Sequence, residues 1–140
     1  MMVDVLNIPF HRLLGIKRAD KQGYVFMMEE QASFLNHLGT IHACVQLSLA
    51  EASAGEFLLK EFAGAAEGLI PVVRKTEVKY NKPANGILYC KASFIEMDKA
   101  TFLNDLELKG RAQLQVKTEV HNEKGVKVLS AIFDWFIAKA

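Results

Sequence analysis

The fold is decided by the stretch Asn36-His37-Leu38-Gly39-Thr40-Ile41-His42-Ala43-Cys44-Val45-Gln46-Leu47-Ser48-Leu49-Ala50-Glu51-Ala52. No Asp, Glu, Lys or Arg lies between Glu30 and Glu51, and an apolar helix is predicted from about residue 42 to residue 62. A helix that is apolar all round is a buried one, so Glu51 is expected to be a buried carboxylate without a basic partner. Such a carboxylate is costly, which favours a functional role for it.

The second half of the chain has the period-two pattern of β-strands. The pattern is clearest over residues 111–120, and similar alternation predicts strands near 75–81, 88–94 and 126–137. A further strand is predicted at 23–29, a short helix at 8–15, and a polar connection at 98–109. Antiparallel strands with one apolar face need a cover, and the long helix is large enough to provide it. The expected architecture is therefore α+β, with a curved antiparallel sheet of about five or six strands around one long central helix, in a single domain over residues 1–140.

Composition excludes several classes of function. The chain has 140 residues, of which 51% are hydrophobic and 24% charged, with a net charge of +1. This charge gives no basic field for nucleic acid or an anionic membrane. Polar residues interrupt the uncharged run 31–50, so it is not expected to span a membrane. The start lacks the basic residues of a signal peptide, and two cysteines form neither a disulfide framework nor a zinc spacing. We expect a cytoplasmic protein with no metal and no redox cofactor.

The motifs together resemble those of the hotdog-fold thioesterase superfamily, in particular the phenylacetate-pathway and 4-hydroxybenzoyl-CoA thioesterases. That pattern has an Asn or Gln, a glycine turn, a His and a carboxylate nine residues after the His; Asn36, Gly39, His42 and Glu51 fill those places. A strand ending in Tyr-x-x-Pro-Ala matches residues 76–84, followed by Gly86. The resemblance implies a hotdog fold, hydrolysis of an acyl thioester of coenzyme A or acyl carrier protein, and a homodimer or homotetramer.

The resemblance also implies roles for individual residues. Glu51 would be the general base or the nucleophile, and the Ala43 N–H and Asn36 would polarise the thioester oxygen. The chain departs from the pattern because Ala43-Cys44 replaces Gly-Gly. In addition, Gly55 stands where the 4-hydroxybenzoyl-CoA enzymes have a hydroxyl residue. Its water-positioning role is unfilled unless Ser48 or Ser53 takes it.

Spacing adds a constraint that is independent of the resemblance. Ala43 and Glu51 are eight residues apart, which is roughly 12 Å along a helix. An oxyanion donor must lie about 3 Å from the oxygen that it stabilises. One helix therefore cannot place both groups on one carbonyl, and the site is expected to combine the helix start of one subunit with Glu51 of another.

Other residues have both a binding and a structural interpretation. Cys44 is either a thiolate favoured by the helix N-terminus or a small core residue, and Lys79 and Lys82 either meet the phosphates of coenzyme A or are solvated. His37 precedes Glu51 by fourteen residues, the spacing of hotdog dehydratases, but lacks the Phe-Pro-Gly that follows the His there. A non-catalytic acyl-CoA-binding protein is the main alternative, and a dehydratase is a weaker one. The substrate-binding candidates are Gly39, His42, Cys44, Lys79 and Lys82.

Overall fold

One sheet and one long helix make up most of the protein. The computed structural model describes residues 3–65 and 68–140. Two 3-10 turns, Val5–Asn7 and Ala32–Phe34, accompany the helices and strands. In chain order these are α1 (Pro9–Leu14), β1 (Lys17–Arg18), β2 (Phe26–Glu29), α2 (Ala43–Glu61), β3 (Leu69–Tyr80), β4 (Ile87–Ile95), α3 (Lys99–Lys109), β5 (Arg111–Asn122) and β6 (Lys127–Lys139).

The sheet has six antiparallel strands in the order β1-β2-β4-β5-β6-β3. It curves around α2, which packs against β2, β4, β5 and β6. The predicted α+β architecture is therefore confirmed. No helix within residues 3–65 and 68–140 is long and apolar enough to cross a membrane.

Buried and exposed side chains alternate along β5 as the sequence predicts, and the buried ones form part of the core. Its inward side chains are buried and its outward neighbours are mostly exposed. The inward residues are Ala112, Leu114, Val116, Thr118 and Val120. Residues of β6 with the same periodicity complete this layer, among them Phe133 at 1% exposure and Trp135 at 6%. The buried face of the sheet is thus continuous beneath α2.

The expected polar connection over 98–109 is wrong, because this segment forms α3. The Asp98 side chain caps the helix by accepting a hydrogen bond from the Ala100 N–H at 3.1 Å. Gly110 ends the helix in the left-handed conformation, with φ of 71°. Phe102 and Leu106, four residues apart, lie on one side of α3 and are its buried residues. Both helix boundaries were thus present in the sequence as cap residues.

Strand β3 lies at one edge of the sheet and starts earlier than predicted, at Leu69. Val78 and Tyr80 pair with Ala131 and Leu129 of β6, which are buried. Directly paired residues point to the same face of a sheet, so Val78 and Tyr80 face the α2 side. They are nevertheless 36% and 44% exposed. The second half of this edge strand is therefore left uncovered by the protein's own helix.

Removing the cap of α3 tests this part of the fold. Asp98→Ala is expected to lower the free energy of unfolding by about 0.5–2 kcal/mol, because the Ala100 N–H loses its acceptor. Urea unfolding measures the change. Asn104→Ala, at an exposed position of the same helix, is the control and should change stability by less than about 0.5 kcal/mol. Equal losses in the two variants would contradict the capping role.

Candidate active site

The start of α2 presents an N–H group that has no hydrogen-bond partner among the described residues. His42 caps the helix, and its Nδ1 accepts a hydrogen bond from the Cys44 N–H at 3.0 Å. The imidazole therefore holds the chain at the helix entrance, and its neutral form carries the proton on Nε2. The Val45 and Gln46 N–H groups both donate to the His42 carbonyl. The N–H of Ala43, the first helical residue, remains available for an anion or a polarised carbonyl.

The preceding loop is organised by the side chain of Asn36. Its Oδ1 accepts hydrogen bonds from the backbone N–H groups of Leu38 at 2.9 Å and Thr40 at 3.1 Å. Its Nδ2 donates to the Thr40 hydroxyl at 2.9 Å, which leaves one N–H of the amide for another acceptor. Gly39 has a φ of 73°, which a residue with a Cβ rarely adopts. Asn36 and Gly39 thus shape the turn that leads to Ala43.

The Pro-Ala segment after β3 fixes this loop from the other side. The Ile41 N–H donates to the Ala84 carbonyl at 2.8 Å, and Ala84 is 1% exposed. Asn85 Nδ2 donates both to the Gly39 carbonyl at 3.0 Å and to Glu30 Oε1 at 2.8 Å. Hydrogen bonds from Asn85 and from the Gly86 N–H lower the pKa of Glu30. The two sequence motifs are therefore one structural unit, joined by Asn85.

Glu51 is not buried, and on this point the sequence expectation is wrong. Its side chain lies on an exposed line of α2, whereas the buried carboxylate of this helix is Glu56, at 7% exposure. Glu56 accepts a 2.7 Å hydrogen bond from Arg18, which pairs its charge. Glu51 has no such partner in the described part of the chain. A carboxylate free of an ion pair is available for chemistry.

Glu51 borders an apolar groove of about 410 Å³ between α2, the first half of β3 and the N-terminal segment. Glu51 and His11 are the titratable side chains among the described residues that line it. The other lining residues are small or apolar: Val3, Val5, Ile8, Ala52, Gly55, Leu59, Leu69, Ile70, Pro71, Val72, Val73 and Trp135. Such a groove suits an uncharged acyl group with its reacting carbon near Glu51.

Neither serine considered as a water-positioning residue lines the groove beside Glu51. The Ser48 hydroxyl donates its hydrogen to the Cys44 carbonyl at 2.8 Å. Ser53 is fully buried at 0% exposure and is not among the residues that line the groove. Gly55 does line the groove, and a Cβ there would lie 3.5 Å from the Trp135 ring. Gly55 and Trp135 together thus define one wall of the groove.

The remaining candidates, Cys44, Lys79, Lys82 and His37, are exposed. Cys44 is exposed, not a core residue, and its charge adds to the burial that raises the pKa of Tyr80 at the end of β3. The other cysteine, Cys90, is buried, and burial raises the pKa of its thiol to about 12. The segment that follows the two lysines, with Ala84 and Asn85, makes the hydrogen bonds to the loop before α2.

The structure keeps Ala43 and Glu51 on the same unbroken helix. Their separation is therefore the roughly 12 Å that the helical rise gives. Asn36, Gly39, His42 and Ala43 form one group at the start of α2, while Glu51 belongs to the groove. Sequence reasoning missed the groove residues His11 and Trp135, because they come from segments far from Glu51 in the chain.

Comparison with known structures identifies the fold as the hotdog fold, which solved proteins described as thioesterases share. The family model for a domain of unknown function, DUF4442, matches residues 15–137, and the chain belongs to that family. No curated protein matches the chain.

Three solved structures illustrate the likeness. A Pseudomonas aeruginosa protein described as a probable thioesterase has 21% identity and a TM-score of 0.79, covering 97% of this chain and 91% of its own. A Bacillus halodurans protein solved with CoA has 17% identity and a TM-score of 0.72, covering 91% and 74%. A Haemophilus influenzae thioesterase has 15% identity and a TM-score of 0.72, covering 96% and 86%. At these identities the likeness shows the fold.

The Asn85 link between the two motifs can be tested by hydrogen exchange. Asn85→Ala removes one donor from the Gly39 carbonyl and is expected to speed amide exchange of the loop before α2 about fivefold, the equivalent of one net hydrogen bond of about 1 kcal/mol. The Thr40 and Ile41 amides are the probes. Amides of β5 should not change, and Asn104→Ala should leave all of these rates as in the wild type. A uniform acceleration over the whole chain would instead indicate a global loss of stability.

Proposed function

We propose that this protein hydrolyses acyl-CoA thioesters. The observation that carries the proposal is the unpaired carboxylate of Glu51 at the edge of an apolar groove. The hotdog fold supports it, as does the CoA bound in the structure of the Bacillus halodurans protein. The acyl group would occupy the groove, and the coenzyme A phosphates would lie near Lys79 and Lys82.

The proposed site is shared between two copies of the chain. Because α2 separates the Ala43 N–H from Glu51 by roughly 12 Å, the oxyanion donor for one Glu51 must come from a second copy. The exposed apolar side chains on the second half of β3 favour such a partner, since an open edge strand with apolar residues is an association surface. We therefore propose a homodimer, or a tetramer built from such dimers.

The chemistry follows from these groups. Glu51 either takes a proton from a water that attacks the thioester carbon or attacks that carbon itself. The Ala43 N–H of the other subunit stabilises the negative charge that develops on the thioester oxygen. The free N–H of Asn36 would add a second donor, while its carbonyl oxygen holds the loop. The C–S bond then breaks, and the products are a carboxylic acid and the coenzyme A thiol.

Glu51→Gln is expected to abolish most hydrolysis while keeping the fold. The amide has nearly the same shape as the carboxylate but cannot accept a proton at neutral pH, so kcat should fall on the order of 10²–10⁴-fold. A panel of acyl-CoAs of different lengths, assayed by thiol release, provides the measurement.

The control for this experiment is Glu61→Gln, which changes an exposed carboxylate at the end of the same helix. It should hydrolyse at the wild-type rate. Wild-type activity that survives Glu51→Gln would refute the assignment. If neither protein hydrolyses but both bind acyl-CoA tightly by calorimetry, the protein is a binding module instead.

Ala43→Pro removes the proposed oxyanion donor without removing a side-chain contact. Proline is tolerated at the first position of a helix, and the preceding residue must be extended. His42 has φ of −57° and ψ of 140°, which satisfies this requirement. We expect a loss of about 10²–10³-fold in kcat, an unchanged circular dichroism spectrum, and near-normal activity in Ala43→Ser, which keeps the N–H.

Mixing the two inactive variants tests the shared site. In a mixed dimer of Glu51→Gln and Ala43→Pro chains, one site carries both substitutions and the other carries neither. Activity should therefore return to about half of the wild-type value per mixed dimer, once native mass spectrometry shows that subunits have exchanged. Confirmed mixed dimers without regained activity would exclude a site shared in this way.

A further inference from the structure

The groove contains a second titratable side chain that the proposed chemistry has not used. His11 lies on α1 and lines the groove together with Glu51 and Gly55. It is half-buried, so its imidazole is partly protected from solvent yet faces the cavity. The helix that carries it is well defined at both ends, by Pro9 in its first turn and by Gly15, which caps it with φ of 71°.

A hydrogen bond to the backbone fixes the state of the imidazole. The Nδ1 atom lies 2.8 Å from the Val5 carbonyl oxygen. A carbonyl oxygen can only accept, so Nδ1 must carry a proton. In the neutral imidazole the other nitrogen, Nε2, is then a hydrogen-bond acceptor. Proteins orient a histidine toward a ligand with such a backbone hydrogen bond, which also fixes the tautomer of the ring.

Nε2 of His11 has no hydrogen-bond partner within residues 3–65 and 68–140. Neither serine near Glu51 offers an acceptor inside the groove, because Ser48 is not among the residues that line it and Ser53 is buried in the core. The absence of a side chain at Gly55, one helical turn after Glu51, keeps the groove open at this point. Among the described residues that line the groove, His11 is therefore the side chain besides Glu51 that can accept a hydrogen bond from water, since the indole N–H of Trp135 can only donate.

We propose that His11 is the residue that positions the hydrolytic water, an inference that rests on the proposed function. The water donates one hydrogen to His11 Nε2 and the other to the Glu51 carboxylate. Its oxygen forms a bond with the thioester carbon as the second proton passes to Glu51. The C–S bond then breaks, its electrons stay on the sulfur, and the departing thiolate takes up that proton. The imidazole keeps its protonation state throughout.

Two substitutions separate this role from a structural one. In His11→Asn the amide N–H replaces that of Nδ1 and keeps the bond to Val5, but the side chain ends before the position of Nε2. In His11→Gln the amide reaches the position of Nε2 but gives up the bond to Val5. Water positioning predicts that His11→Asn lowers kcat by on the order of 10–10²-fold. Its KM and its thermal unfolding temperature should match the wild type.

His11→Gln should give the opposite result. Its unfolding temperature should be lower than that of His11→Asn, and it should retain more of the wild-type kcat than His11→Asn does. If His11 only holds the N-terminal segment in place, His11→Asn will have wild-type kcat and His11→Gln will be the more damaged enzyme, which overturns the proposal. Binding of a non-hydrolysable acyl-CoA thioether, measured by calorimetry, should be the same for His11→Asn and wild type. Weaker binding would assign His11 to substrate affinity and also overturn the proposal.

The wild-type protein and Glu51→Gln, assayed in parallel, distinguish a failure of this inference from a failure of the proposed function. Wild-type hydrolysis that is lost in Glu51→Gln and retained in His11→Asn refutes the role of His11 alone. Absence of hydrolysis in the wild type for every acyl-CoA of the panel refutes both.

Discussion

The candidate site depends on the backbone hydrogen bond between Ile41 and Ala84. This 2.8 Å contact joins the loop before α2 to the turn after β3. Ala84 is buried, so the bond is shielded from water and holds the helix entrance against the sheet. Asn85 adds a side-chain link to the Gly39 carbonyl. The free N–H of Ala43 therefore points in a direction set by the core, as electrostatic preorganisation requires.

Two carboxylates on α2 differ in their environment, and this difference gives one a structural role and the other a proposed catalytic role. Glu56 is buried and forms an ion pair with Arg18 at 2.7 Å. This ion pair links β1 to the helix. Glu51 lies at an exposed position next to a groove whose walls are apolar. The sequence argument assigned burial to the wrong one of the two. It treated the helix as covered on every side, whereas one line of it is open in the single chain.

Patterns that are local in the chain were predictable, and contacts between distant segments were not. The period-two alternation of β5 and the turn residues Asn36 and Gly39 correspond directly to their structures. The cap residues of α3, Asp98 and Gly110, were equally local, but the polar character of the segment obscured them. In contrast, no spacing in the sequence places His11 and Glu51 in one groove. That placement depends on how α1 packs beside the groove, which is a tertiary effect.

The length of α2 links the fold to its proposed assembly. A hotdog helix must be long to cover its sheet, and the 19 residues of α2 do so here. That length places the oxyanion donor at one position along the helix and the carboxylate about two turns further on. A single chain therefore contains both halves of the proposed hydrolytic site but cannot bring them to one carbonyl. In the proposed dimer, a second copy would align each helix start with the other Glu51 and would cover the exposed half of β3 at the same time. In this arrangement the association of two chains would both bury the apolar surface of β3 and complete the site. Activity would therefore appear only when the chains associate.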